Sequence, residues 1–129
     1  MQCKVGAMRE INFESLVVRE KIEVVNDCKL QVLSFVGQIN QNNSYSISDN
    51  INSFFESGTF DTILDLSNLV YINSIGLASI LAIIKKTEEH SGRLVIGGIN
   101  PKIQIIIQLL DLTNQVEIYS SVEKALESW

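Results

Sequence analysis

The chain reads as an α/β domain with a mostly parallel sheet of four to five strands and about four helices. Three observations predict that class. Short apolar runs of strand type, Ile63-Leu64-Asp65-Leu66 and Leu94-Val95-Ile96, alternate with longer segments whose apolar residues recur at helical spacing. Two strand-like runs flanking Asn26-Asp27, a good turn pair, precede that alternation and predict an opening hairpin. Gly58, Ser91-Gly92 and Asn100-Pro101 fall between the segments, where turns and helix ends belong. Strands alternating with helices after a hairpin build a sheet that carries its helices on its faces.

Composition bounds the function. The chain has 129 residues, 46% hydrophobic and 19% charged, which suits one domain with a real core. Its net charge of -5 comes without any basic cluster, so a nucleic-acid partner has no electrostatic footing. No apolar run approaches the ~20 residues of a membrane-spanning helix, and no insertion is expected. Met1-Gln2-Cys3-Lys4-Val5-Gly6 lacks the apolar core of a signal peptide. Cys3 and Cys28 read as two reduced thiols of a cytoplasmic protein, with no metal-site spacing.

Along the chain, residues 1–20 read as an extension and residues 21–129 as the domain. Ile11, Phe13 and Leu16-Val17-Val18 fit either an edge strand or a packed arm. Ile22–Val25 and Leu30–Val36 are the hairpin strands, ending at Gly37. A polar loop from Gly37 through Asn40 to Asn43 follows, with Asn43 or Ser44 as cap of a helix carrying Ile47, Ile51, Phe54 and Phe55. Phe60 to Leu66 is a strand expected inside the sheet, because a near-continuous apolar run suits burial on both faces. A helix from Ser74 to His90 presents Leu77, Ile80, Leu81 and Ile84 on one face. Asn100-Pro101, cap and first helical residue, tip the β-branched segment after it to helix, with Ile103, Ile106, Ile107 and Leu110 inward. Val116–Tyr119 is the last strand. Ser120 and Glu123 stand at capping-box spacing before a final helix with Val122, Ala125, Leu126 and Trp129 inward.

Catalytic chemistry is missing. The lone histidine, His90, sits in a polar helix end, where solvation explains it. Neither phosphate-loop motif is present, and Gly97-Gly98 reads as a tight strand-to-helix turn. Asp61 and Asp65 share one side of a strand, and Asp65 is placed to bond backbone or a helix cap. No nucleophile, base and orienter can be assembled, so no enzyme, cofactor or metal is expected.

The informative stretch is Thr62 to Leu77. A buried strand, a polar break and Tyr71-Ile72 lead to Asn73-Ser74 at the mouth of a long apolar helix. Backbone N–H groups and the positive end of the helix dipole face outward there, so the site tolerates an anion. Ser74 is then either a plain N-cap or a phosphoryl acceptor. The helix is apolar around most of its first turns, more than one sheet can bury. Ile75, with Ala78 or Ser79, is therefore expected in an exposed patch beside the Asn40 loop, unless the N-terminal extension or a dimer mate covers it.

The order hairpin, Gly37-Gln38-Ile39-Asn40, helix, Ile63-Leu64-Asp65-Leu66, Ile72-Asn73-Ser74-Ile75-Gly76-Leu77, helix, strand, Asn-Pro helix, strand, helix resembles the STAS domain, and more narrowly the bacterial anti-sigma-factor antagonists. The resemblance covers about residues 21–129. It implies a partner switch in transcription regulation. The unmodified protein binds an anti-sigma factor that is also a serine kinase; phosphorylation of the serine at the helix start blocks binding, and a phosphatase resets it. Matched onto this chain, the acceptor is Ser74, and the partner surface comprises Asn40, Asn73, Ser74, Ile75, Gly76 and Ala78. The chain departs from the family at three of its positions. The Asp before the acceptor is Asn73, the second Ser is Ile75, and the acidic loop residue is Asn40. Two other readings are a STAS scaffold or accessory subunit that is never phosphorylated, and a small-ligand domain using the Asn40, Asn43 and Asn73 amides around one pocket.

Overall fold

A computed structural model describes residues 3–109 and 116–129, without the side chains of residues 3–7. The elements, in order, are strands β1 (Cys3–Phe13), β2 (Leu16–Val25) and β3 (Cys28–Ile39), helix α1 (Ser44–Asp49) and a 3-10 turn (Ile51–Phe55). Strands β4 (Thr62–Leu66) and β5 (Leu69–Ile72), helix α2 (Ser74–Glu89), strand β6 (Leu94–Ile99), helix α3 (Pro101–Leu109), strand β7 (Ile118–Tyr119) and helix α4 (Val122–Glu127) follow.

The described strands form one seven-stranded mixed sheet in the order β1-β2-β3-β4-β6-β7, with β5 paired to β3 beyond the end of β4. The first two pairings are antiparallel and the other four parallel, so the α/β class and the mostly parallel sheet hold. The strand number is higher than the four to five expected. Residues 3–13 take the edge-strand alternative, and Leu69–Ile72 forms a short strand directly after the polar break. The boundary expected after residue 20 falls within β2, so the extension is continuous with the sheet.

The hairpin turn follows from chemistry. Asn26 and Asp27 take φ of 51° and 66°, the left-handed pair that matches strand twist in a two-residue hairpin. Their short polar side chains tolerate that region better than other non-glycine residues do.

Register then sorts the core. Val32, Ile63 and Val95 align across β3, β4 and β6 and face α4, packing with Ala125 and Leu126. The next residues along, Leu33, Leu64 and Ile96, face the opposite layer, where α1, α2, α3 and the 3-10 turn lie. Ile63 and Leu64 have no exposed surface, so β4 is buried on both faces as its apolar run predicts. Burial of each such side chain stabilises by roughly 1.5–3 kcal/mol.

Several details shift from the sequence reading. The inward face of α2 is Gly76, Ser79, Ile80, Ile83, Ile84 and Thr87, with Leu77 and Leu81 half-buried at its margins. Small and hydroxyl residues enter that face because Ser79 and Thr87 return their O–H to the carbonyls of Ile75 and Ile83. Gly97-Gly98 is not a turn between elements. Three β6 residues advance over two of β4 between the Leu64–Ile96 and Leu66–Ile99 pairs, and Gly98 takes φ of 88° in this bulge. The last strand is only Ile118–Tyr119, and α4 is capped by Ser121, one residue later than expected. On α3, Ile103 and Ile107 are buried and Ile106 half-buried; Leu110 lies outside the described residues. Cys28 is a free, exposed thiol, and the side chain of Cys3 lies outside the described ones.

Two polar clasps tie the outer elements down. Arg9 on β1 pairs with Glu20 and with Glu56 at 2.8 Å, and donates to the Ser53 carbonyl. The Glu20 carboxylate holds the guanidinium even higher than its ordinary range, so this cation persists at all working pH. Arg93 packs over the Trp129 ring at 4.2 Å and donates to Ser128, anchoring α4.

The loop after β3 is fixed by one amide. Asn43 is 2% exposed. Its Oδ1 accepts from the Asn40 N–H at 2.9 Å, while its Nδ2 donates to the carbonyls of Phe13, Glu14 and Gln38. Asn43→Asp is expected to destabilise the domain by about 3 kcal/mol or more, because it aims a buried carboxylate at three carbonyls. Urea unfolding of both proteins checks this. A loss under about 1 kcal/mol would show that the loop does not hang on this amide.

Candidate functional site

The parallel pairing of β3 with β5 places Ile39 opposite Ile72, and Asn73 N–H donates to the Ile39 carbonyl at 3.0 Å. The next residues, Asn40 and Asn73, therefore emerge side by side at the carboxyl ends of two parallel strands. They line a shallow groove of about 420 Å³ together with Gln41, Asn42 and Tyr71. Every one of these five side chains is uncharged.

Each asparagine is wired to backbone. Asn40 Oδ1 accepts from Asn42 N–H at 2.9 Å, and Asn73 Oδ1 accepts from Gly76 N–H at 2.8 Å. The second bond makes Asn73 the N-cap of α2, in extended conformation with φ of -94° and ψ of 178°. Ser74 is thus the first helical residue and not the cap. It is exposed, and among the described residues no hydrogen bond holds its hydroxyl. Asn73 supplies acceptors for the N–H groups of Gly76 and Leu77, leaving those of Ser74 and Ile75 without a helical partner.

The expected patch is present in part. Ala78 is exposed and Ile75 half-buried, while Ser79 is buried. Gly76, expected on the partner surface, faces inward. A Cβ there would stand 2.5 Å from Ile39 Cγ2 and 3.0 Å from Ile72 Cγ1, so only glycine lets the helix start seat against the strand ends. Sequence reasoning missed Tyr71 and Val70, which are 52% and 57% exposed on β5 beside the groove. Their signal was an apolar pair in a segment too short for two buried faces.

The three asparagines do not surround one pocket. Asn43 spends its amide inward and only Asn40 and Asn73 reach the groove. The remaining polar candidates are structural. Asp65 accepts from Ser34 Oγ and from the N–H and hydroxyl of Ser67, and Asp61 accepts from Arg93 N–H. His90 caps the carboxyl end of α2 and stacks on Phe60 at 4.0 Å. Among the described residues no three His, Cys, Asp or Glu side chains gather as a metal site, and no helix is long and apolar enough to cross a membrane.

The cap assignment separates two neighbours. Ser74→Ala is expected to change stability by less than about 0.5 kcal/mol, and Asn73→Ala to cost about 1 kcal/mol. Gly76→Ala should cost more, about 1–3 kcal/mol, because strand-end side chains must move. Denaturant midpoints of the three variants give the order; a Ser74→Ala loss equal to that of Asn73→Ala would return the cap to Ser74.

This arrangement has known counterparts. Solved structures of the same fold include an anti-sigma factor antagonist from Mycobacterium paratuberculosis, at 18% identity and TM-score 0.62, covering 98% of this chain and 93% of that one. The Bacillus cell fate determinant SpoIIAA in its phosphorylated form matches at 15% identity and TM-score 0.61, over 95% of this chain and 98% of that one. Unphosphorylated SpoIIAA, described as an anti-sigma factor antagonist, matches at 14% identity and TM-score 0.59, over 95% and 96%. At these identities the likeness is one of fold. The sequence profile of the STAS domain, by contrast, matches residues 20–125, from within β2 to within α4, and the chain belongs to the STAS domain family.

Proposed function

We propose that this chain is a cytoplasmic, non-catalytic partner-switching module of bacterial signalling that resembles an anti-sigma-factor antagonist. Unmodified, it binds an anti-sigma factor that is also a serine kinase. The kinase transfers a phosphoryl group to Ser74, the modified surface releases it, and a phosphatase restores the serine. Asn40, Asn73, Ser74, Ile75 and Ala78 make the contact.

One observation carries this reading: Ser74 is an exposed, unbonded hydroxyl at the first position of a 16-residue helix whose cap is a different residue. Modification there removes no structural bond. A phosphoryl group would add about 1.5–2 negative charges at the end of the helix where anions are best tolerated. The fold therefore survives and only the surface changes. Other serines near the loops are poorer acceptors, since Ser44 is fully buried and the Ser67 hydroxyl is bound to Asp65.

The test uses each purified anti-sigma-factor kinase of the source organism, with intact-mass analysis after incubation with ATP and calorimetry of binding. A single phosphoryl group on Ser74 is expected, and none on Ser74→Ala, which should bind as wild type does. Ser74→Asp should bind at least roughly tenfold more weakly, since a charge desolvated at an interface without a partner costs more than 1.4 kcal/mol. Phosphorylation at Ser67, or wild-type affinity of Ser74→Asp, overturns the assignment.

A further inference from the structure

The groove beside Ser74 has a defined hydrogen-bonding polarity. Backbone N–H groups can only donate, so the side-chain atom facing each of them must be an oxygen. Asn42 N–H fixes the Oδ1 of Asn40 and Gly76 N–H fixes the Oδ1 of Asn73. Each amide oxygen thereby already accepts one bond from this chain's own backbone. The wholly unsatisfied group of each asparagine is its Nδ2, since neither Nδ2 has a partner among the described residues. Two N–H₂ donors thus stand at the ends of neighbouring parallel strands, beside the unpaired N–H groups at the start of α2. Among the described residues no charged side chain lines the groove.

We infer that the partner segment seated in this groove presents hydrogen-bond acceptors, backbone carbonyls or carboxylates, to Asn40 and Asn73, and presents no lysine or arginine there. The inference rests on the proposed reading of this surface as the partner site and specifies the partner's chemistry. A basic partner segment seated at Asn40 and Asn73 would set its own donors against two N–H₂ groups and a positive helix end. An acceptor-bearing segment satisfies both amides and gains from the helix end. The same polarity gives modification at Ser74 a second consequence: a phosphoryl group placed there competes with the partner's acceptors for the same donors.

Two substitutions test this with little structural cost. In Asn40→Asp and Asn73→Asp the oxygen that holds the backbone is kept, and only the outward atom changes, from an N–H donor to a charged acceptor. Asp is as good an N-cap as Asn, so Asn73→Asp should fold with unchanged or raised melting temperature. The measurement is calorimetric affinity for the kinase that phosphorylates Ser74, at low and high salt, with melting temperatures of each variant. Each Asp variant is expected to bind at least roughly tenfold more weakly at wild-type melting temperature, with the deficit shrinking as salt rises. Unchanged or tighter binding of both variants overturns the inference, and tighter binding lost with salt identifies a basic partner segment instead. Should Asn73→Asp melt early, Asn40→Asp decides alone. The two readings fail separately. If wild type binds and Ser74→Asp does not, but the Asp variants bind at least as well as wild type, only the partner chemistry is wrong. Wild type that binds none of the kinases overturns both.

Discussion

The buried amide of Asn43 is the constraint on which the site depends. One side chain joins the turn between β1 and β2, the end of β3 and the loop that leads to α1. Only asparagine or glutamine carries an N–H₂ donor and a carbonyl acceptor on one planar group, and the shorter one suits so close a set of bonds. With Asn40 N–H held by Asn43 Oδ1, the Asn40 side chain is directed by its own loop and not by solvent. The edge hairpin contributes directly, because two of the three carbonyls that Asn43 satisfies belong to Phe13 and Glu14. Residues before the family match thereby help to shape the groove at Asn40.

The fold was legible where one physical signal dominated. The apolar runs of β4 and β6, the Asn26-Asp27 turn and the Asn100-Pro101 helix start each declare themselves through burial or backbone preference, and each is where the sequence puts it. Legibility failed where two roles compete for one residue. Ser120 and Ser121 are equally good caps, and packing of Ala125 and Leu126 selects the second. Gly97-Gly98 signals a turn and a bulge alike, and the parallel register of β4 and β6 decides. Leu69–Ile72 is too short to show a period, and it becomes a strand because the free edge at the end of β3 supplies its partner.

At the site, the sequence locates the helix start but leaves Ser74 open between cap and acceptor, and the structure gives the cap to Asn73. Asn73 and Ser74 are both favoured caps, and no sequence pattern distinguishes them. The pairing of Ile39 with Ile72 does so, because it brings Asn73 N–H onto the Ile39 carbonyl and fixes the chain in extended conformation at Asn73. Helical geometry then begins at Ser74. A burial requirement acts in the same direction, since Gly76 must lie against Ile39 and Ile72. The serine is left exposed as a consequence of where the glycine has to go.

This division of labour gives the departures from the family pattern a physical meaning. An aspartate in place of Asn73 would cap the helix equally well, so capping alone does not call for asparagine. The same holds for Asn40, where either residue supplies the oxygen that accepts from Asn42 N–H. The two residue types differ only in the atom turned toward the groove. Asparagine makes that atom a neutral donor, and at both positions the change is in the same sense. A groove built from Asn40, Gln41, Asn42, Tyr71 and Asn73 is thus neutral on a chain whose net charge is -5. The groove adds no charge of its own to the field of that net charge, and its selectivity comes from matching donors to acceptors at short range. On the proposed reading, the charge of a phosphoryl group at Ser74 would then be the largest electrostatic change this surface undergoes, introduced where the scaffold can carry it and the partner cannot.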